Sequence, residues 1–213
     1  MVWRVGPAAR RDQGGAVNEP GRIRLFVAAE IPPTARGALG LLQATLRERM
    51  ADSGALRWVT PDRIHLTLKF LGNVEVIRVP ELAIAMANAV RGQPVFDLAV
   101  GAIGVFSNAH APKVLWAGLT GDLDALTLLR DRTEAALVSV GFLAEERPFR
   151  AHLTLARVPN GVRPHELTEV TGTGGESAND TLTRFSVERV ALVHSVLGEE
   201  GPAYWSLATA DLV

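Results

Sequence analysis

One tetrapeptide occurs twice in this chain, as His65-Leu66-Thr67-Leu68 and as His152-Leu153-Thr154-Leu155. For this composition, on the order of 0.04 His-x-Thr-Leu matches are expected by chance. Two copies therefore mark an internal repeat. Each copy closes a similar run of chain: an apolar β-rich segment, a helical segment, then the strand that carries the tetrapeptide. The first run opens with IRLFVAA at 23–29 and the second with VLWAGL at 114–119. Repeats of this size that share one core predict two lobes facing each other across a pseudo-two-fold cleft.

Between these landmarks the pattern assigns the remaining elements. Pro32-Pro33-Thr34 ends the first strand and starts a helix to about residue 50, with Leu39, Leu42 and Leu46 on one face. RWV at 57–59 is a short strand, and IHLTLKFLG at 64–72 is another, ended by Gly72-Asn73. Pro80 opens a helix through residue 90, and FDLAVGAIGVF at 96–106 reads as a strand with glycine kinks. In the second half a helix is expected over 122–140, a strand over 151–158 and a short helix near 164–168. The run RFSVERVALVHSVL at 184–197 reads as one strand and 203–213 as the last. Residues 171–180, TGTGGESAND, are expected to form a mobile loop. They lack the Gly-Lys-Ser/Thr that would make them a phosphate-cradling P-loop. The expected fold is α+β and bilobal: two pseudo-symmetric lobes of mixed or antiparallel sheet, helices outside, and a central cleft. Residues 1–20 have no periodic apolar face and are expected to be a flexible tail, with Val17 well placed as an alternative start; 21–213 form the single domain.

Composition excludes several chemistries. The 213 residues carry 22 basic and 23 acidic side chains, so the net charge of -1 is not that of a bulk polycation. Cysteine is absent, which removes disulfides, thiolate catalysis and Cys-ligated zinc. No apolar run reaches the roughly 18 residues of a membrane helix, and the N-terminus lacks a signal-peptide core. A cytoplasmic monomer is the default expectation.

The spacing within the tetrapeptide suggests its chemistry. Side chains at i and i+2 of a strand share a face, so His65 and Thr67 face one way, as do His152 and Thr154, while the leucines enter the lobe. Across a two-fold cleft this brings two imidazoles and two hydroxyls to one small volume. Two imidazoles suit a reaction needing base and acid together near neutral pH, and hydroxyls donate to the oxygens of an anionic centre. A phosphodiester fits this set. The competing readings are a pair of core histidines, or a zinc site that lacks a third ligand.

The chain resembles the 2H phosphoesterase superfamily, and within it the RNA 2′,3′-cyclic phosphodiesterases, long called 2′-5′ RNA ligases. The resemblance spans about 22–213 and rests on RLFVAAEIPP, RWVTPDRIHLTLKFLG, KVLWAGL, RPFRAHLTLAR and the closing S-x-L-x-x-x-G-x-x-Y from Ser195 to Tyr204. It departs from the family at Ser107 and Ala151, where proline is frequent. The resemblance implies that a terminal 2′,3′-cyclic phosphate is hydrolysed to a 2′-phosphate, with weak reversible 2′-5′ joining; because two histidines and two hydroxyls already supply acid, base and anion stabilisation, neither metal nor cofactor is expected to take part. RNA bearing that end, such as the halves of a cleaved tRNA, is the implied partner. The family's two H-x-T motifs fall on His65, Thr67, His152 and Thr154, with a lean toward His152 as base and His65 as acid.

The family's post-motif arginine falls on Arg157, although alternation puts that side chain on the opposite strand face unless the strand bulges or ends there. Arg147, Phe149 and Arg150 in RPFR suit an RNA end by stacking and charge, with Phe149 equally readable as core. Trp58 and Arg63 carry the same ambiguity. His110 and His165 read as loop or helix-start residues, and His194 as a satisfied strand histidine. Lys69 and Lys113 do not resemble the K-x-D-G of nucleotidyl-transferring ligases. Two alternatives keep the motifs but change the role: a phosphodiesterase for a small cyclic phosphate of the ADP-ribose type, or a non-catalytic RNA-end binding module.

Overall fold

Leu25, Phe26, Val27, Ala28 and Ala29 are all buried, because the strand that carries them, β1 (Arg22–Ala29), has a paired neighbour on each side. The computed structural model describes residues 21–50, 56–107, 111–160, 162, 167, 181–198 and 201–213. The expected tail at 1–20, the loop at 171–180, His110, His165 and, apart from Leu167, the short helix near 164–168 lie outside these residues.

Two antiparallel sheets make up the fold. The first has the order β3-β1-β8-β9, with β3 (Leu66–Glu75), β8 (Arg189–Gly198) and β9 (Gly201–Asp211). The second has the order β2-β6-β5-β4-β7, built from β2 (Arg57–Trp58), β4 (Phe96–Ser107), β5 (Pro112–Gly121), β6 (His152–Arg157) and β7 (Thr183–Val187). The fold is α+β, and every strand pairing among the described residues is antiparallel. The repeat is visible in the pairing: β1 pairs with β3, and β5 pairs with β6.

Two strand expectations are corrected. Strand β3 does not stop at Gly72-Asn73; it continues to Glu75, because β1 offers a partner as far as Arg22, with Gly72 paired to Leu25 and Leu71 left as the extra residue beside it. The run 184–197 is not one strand. It breaks at Glu188 into β7, which borders β4, and β8, which borders β1. The chain changes sheets there with no glycine or proline to announce it.

The helices are α1 (Pro33–Arg49), α2 (Val79–Val90) and α3 (Leu123–Ser139). Pro33 suits the first helical position of α1, where its missing N–H costs nothing. Helix α1 buries Ala35, Leu39, Gln43 and Leu46, a stripe at helical spacing. The helices of the two repeats are exchanged. Gln43 of α1 bonds the Leu155 carbonyl of the second sheet, while Glu134 of α3 pairs with Lys69 of the first. One continuous apolar core therefore ties both sheets to the helices. The leucines of the motifs, Leu66, Leu68, Leu153 and Leu155, lie in it, at about 1.5–3 kcal/mol of burial each. A second, small cluster of Phe26, Ala28, Ala191 and Val193, with Tyr204 against it, sits apart from that core. No helix among the described residues is long and apolar enough to cross a membrane.

Candidate active site

Each motif strand carries a β-bulge at the same place. In β3, Thr67 pairs with Ala28 and Lys69 with Val27, so Leu68 is the extra residue. In β6, Thr154 pairs with Trp116 and Ala156 with Leu115, so Leu155 is extra. A bulge leaves two successive residues opposite one and resets the alternation. Leu68 and Lys69 are accordingly both buried, and so are Leu155 and Ala156. The residue after each pair returns to the face of the His and Thr. In the second half that residue is Arg157; in the first it is Phe70, 61% exposed. Strict alternation misplaces Arg157, and the bulge corrects it. Its charge acts on His65 and on Tyr204.

The second bulge is held from behind. The Gln43 amide nitrogen, on a side chain 1% exposed, donates to the carbonyls of Val59 (2.7 Å) and Leu155 (2.9 Å). The Val59 N–H donates to the same Leu155 oxygen at 2.9 Å. The extra residue of the bulge thus meets donors from both α1 and the strand edge.

The two histidines use the same local device. His65 Nδ1 lies 2.8 Å from the Arg63 carbonyl and His152 Nδ1 lies 2.7 Å from the Arg150 carbonyl. A carbonyl only accepts, so Nδ1 carries the hydrogen in each neutral ring and Nε2 keeps its lone pair. Aromatic side chains hold the rings. Phe26 stacks on His65 with centroids 4.6 Å apart, Tyr204 meets the same ring edge-on at 5.0 Å, and Phe106 meets His152 edge-on at 4.8 Å.

Electrostatics distinguish His65. Burial lowers its pKa; the hydrogen bond to the Arg63 carbonyl opposes this, and the positive charges of His152, Arg36 and Arg157 add to the lowering. The neutral ring is favoured in the ligand-free protein. Tyr204 is raised by burial against the pull of Arg157, Arg63 and Arg24, which keeps its phenol protonated and able to donate.

The remaining sequence candidates separate. Arg150 lies over the Phe106 ring at 5.9 Å, beside His152. Arg147 turns to solvent and to Glu145 at 2.9 Å, and this pairing holds the Glu145 carboxyl down at about 2. Phe149 packs against the main core, with the Arg130 guanidinium 5.8 Å from its ring. Trp58 also packs on the core, under Arg47 at 5.0 Å. Arg63 stands beside His65 in a pocket of about 340 Å³. His194 is not the satisfied histidine expected: its Nε2 is buried without a partner, and burial lowers its pKa. Thr67 and Thr154 are half-buried on the same strand faces as their histidines.

Phe26, Phe106, Trp116, Tyr204 and Arg36 join the site without having been singled out in the sequence. Tyr204 closes the S-x-L-x-x-x-G-x-x-Y run, and Trp116 stands in KVLWAGL two residues before Gly118. Trp116 lies across Gly104 and Gly118, and a Cβ on Gly104 would overlap the indole. Gly118 is itself the partner of His152, so the glycines let the indole lie flat beside the motif. Among the described residues no three or more His, Asp and Glu side chains are grouped to hold a metal ion.

Two antiparallel sheets, each carrying one H-x-T strand and packed with three helices, make the α+β fold of a LigT-like phosphoesterase. The profile of the LigT-like phosphoesterases matches residues 30–116 and 120–204, and the chain belongs to that family. An RNA 2′,3′-cyclic phosphodiesterase of Methanothermobacter thermautotrophicus is 28% identical over 183 residues, covering 86% of this chain and 95% of that protein. A protein of the same name from Geobacillus stearothermophilus is 33% identical over 156 residues; the match covers 73% of this chain and 48% of the relative, about half its length. The crystal structure of TT0787 of Thermus thermophilus superposes with a TM-score of 0.71 at 26% identity, covering 89% of this chain and 98% of that one.

Proposed function

We propose that the protein hydrolyses the 2′,3′-cyclic phosphate at an RNA 3′ end to a 2′-phosphate, with His65 and His152 as the acid–base pair. The observation that carries this is the duplicated imidazole: two repeat-related rings near enough that the charge of His152 acts on His65, each with Nδ1 committed to a main-chain carbonyl and Nε2 left for proton transfer. The base takes a proton from water through Nε2 as the water oxygen bonds phosphorus. The acid gives its Nε2 proton to O3′ as the P–O3′ bond breaks, leaving the phosphate on O2′. Thr67 and Thr154 donate to the non-bridging oxygens and Arg157 balances their charge. A 5′-hydroxyl in place of water gives a 2′-5′ linkage by the same bond changes.

We take His152 as base and His65 as acid, the order toward which the resemblance leans. The lowered pKa of ligand-free His65 then requires the bound phosphate to supply the opposing charge. Names borne by the relatives support the substrate class.

The test is product analysis. An oligonucleotide ending in a 2′,3′-cyclic phosphate, incubated with the protein in excess EDTA, should yield only the 2′-phosphate. Formation of the 3′-phosphate, or activity that disappears with chelator and returns with a divalent ion, would reject this chemistry.

A further inference from the structure

A pocket opens beside His65. Its floor is the small apolar cluster of Phe26, Ala28, Ala191 and Val193, and Tyr204 and Ser206 close one side. His152, Thr154 and Arg157 do not line it, so it lies on the His65 side of the reacting centre. At about 340 Å³ it falls at the small end of ligand pockets, which run to roughly 300–1,000 Å³. That is room for one nucleoside, with an apolar floor and an aromatic edge suited to a base and sugar.

The charged rim decides what else fits. Glu30 is 3.8 Å from Arg189, Asp62 is exposed, and the Arg63 guanidinium acts on Tyr204. Arg36, in the first turn of α1, is different. It is half-buried, and its Nε is a buried donor with no hydrogen-bond partner. Its charge reaches His65. Burying an unsatisfied donor on a cation costs free energy, and an arginine fork matches phosphate oxygens.

We propose that this pocket receives the 3′-terminal nucleoside and that Arg36 binds the phosphate on its 5′ side, the last internucleotide linkage of an RNA. The subsite rests on the reading of the cleft given under Proposed function. It makes the neighbouring phosphate a determinant of specificity, so an RNA end is preferred to a lone nucleoside cyclic phosphate. The groups at the mouth make the choice local: Glu30 and Asp62 disfavour further negative charge there, while Arg36 lies inside.

The experiment compares two substrates that differ only at the 5′ position: a nucleoside 2′,3′-cyclic phosphate with a free 5′-hydroxyl, and the same compound bearing a 5′-phosphate. Wild-type protein should prefer the phosphorylated one in kcat/KM. Arg36→Gln should lower that preference about ten- to a hundredfold, the scale of one charged hydrogen-bond contact, chiefly through KM. Arg36→Lys should restore part of it. Using the ratio cancels any shared effect of the variant on folding or on His65. No preference in the wild type, or a ratio unchanged in Arg36→Gln, would overturn the assignment. Calorimetric titration with a nucleoside 2′-phosphate and a nucleoside 2′,5′-bisphosphate reads the subsite without turnover. If the bisphosphate binds more tightly and Arg36→Gln abolishes the difference while no cyclic phosphate is cleaved, the subsite stands and the catalytic reading falls. Equal binding of both overturns the subsite alone.

Discussion

Replacing Gln43 by Leu removes two hydrogen bonds at a fully buried site while keeping a side chain of similar size. The Leu155 carbonyl retains the Val59 N–H, but the Val59 carbonyl loses its Gln43 donor. Two ordinary hydrogen bonds are worth about 1–3 kcal/mol net. Part of this is returned, because Gln43 Oε1 is itself buried without a partner and disappears in the variant. The expected loss is about 1–2 kcal/mol, or a fall in Tm of roughly 2–8 °C for a domain of this size. A second effect is expected on turnover. The bulge at Leu155 turns Arg157 into the cleft, so loosening it should lower kcat/KM per folded molecule, mostly through weaker phosphate binding. Thermal unfolding followed by circular dichroism, beside steady-state kinetics at a temperature where both proteins are folded, separates the two. Unchanged Tm and unchanged kcat/KM would refute the clamp. A lower Tm with intact kinetics would confine Gln43 to packing and sever the link to Arg157.

Other outcomes follow from the same geometry. Thr67→Val and Thr154→Val keep the branched shape and remove one donor each; each should lower kcat by about 10²–10³, and a wild-type rate in either would make that hydroxyl scaffold. Gly104→Ala should lower stability by about 1–3 kcal/mol through overpacking, because its Cβ meets the Trp116 indole; an unchanged Tm would show that the indole moves freely. The free-protein pKa of His65 lies below the ordinary imidazole value near 6.5, and kcat/KM reports the free enzyme. With His65 as acid, the alkaline limb should therefore fall below 6.5, and Arg36→Gln should move it upward; a limb above 6.5 in the wild type would contradict the role. The same shift has a sign for stability. The unfolded state binds more protons at His65 and His194, whose folded pKa values are both lowered, so this contribution is complete above about 6.5 and is lost as pH falls below it. A Tm that did not decrease between pH 7 and 5 would count against it.

Much of the site is legible because alternation in a strand is a local property. His65 and Thr67 share a face, and their leucines enter the core, whatever the rest of the chain does. The bulges at Leu68 and Leu155 are not local. They exist because β1 and β5 set the register on the other side, and no residue type in HLTLKF or HLTLAR announces them. Arg157 is for this reason misplaced by alternation, and Phe70 goes unnoticed. The exchange of α1 and α3 between sheets is hidden likewise, since an amphipathic stripe says that a helix is covered but not by which strands. Gln43 could have drawn notice as a polar residue within the apolar stripe of α1. Tyr204 had a signal as the end of the S-x-L-x-x-x-G-x-x-Y run, but Phe26 had none of its own, because a strand aromatic is an ordinary core residue until the pairing puts it against His65.

The central claim is that His65 and His152 act as one acid–base pair on a cyclic phosphate. It is tested most directly by kcat/KM for His65→Ala, His152→Ala and the double variant on an RNA oligonucleotide ending in a 2′,3′-cyclic phosphate. Each single variant should lose about 10²–10⁴, and the double variant should lose far less than the product of the two, because the residues work as a unit. Near-wild-type turnover in both single variants would contradict the account.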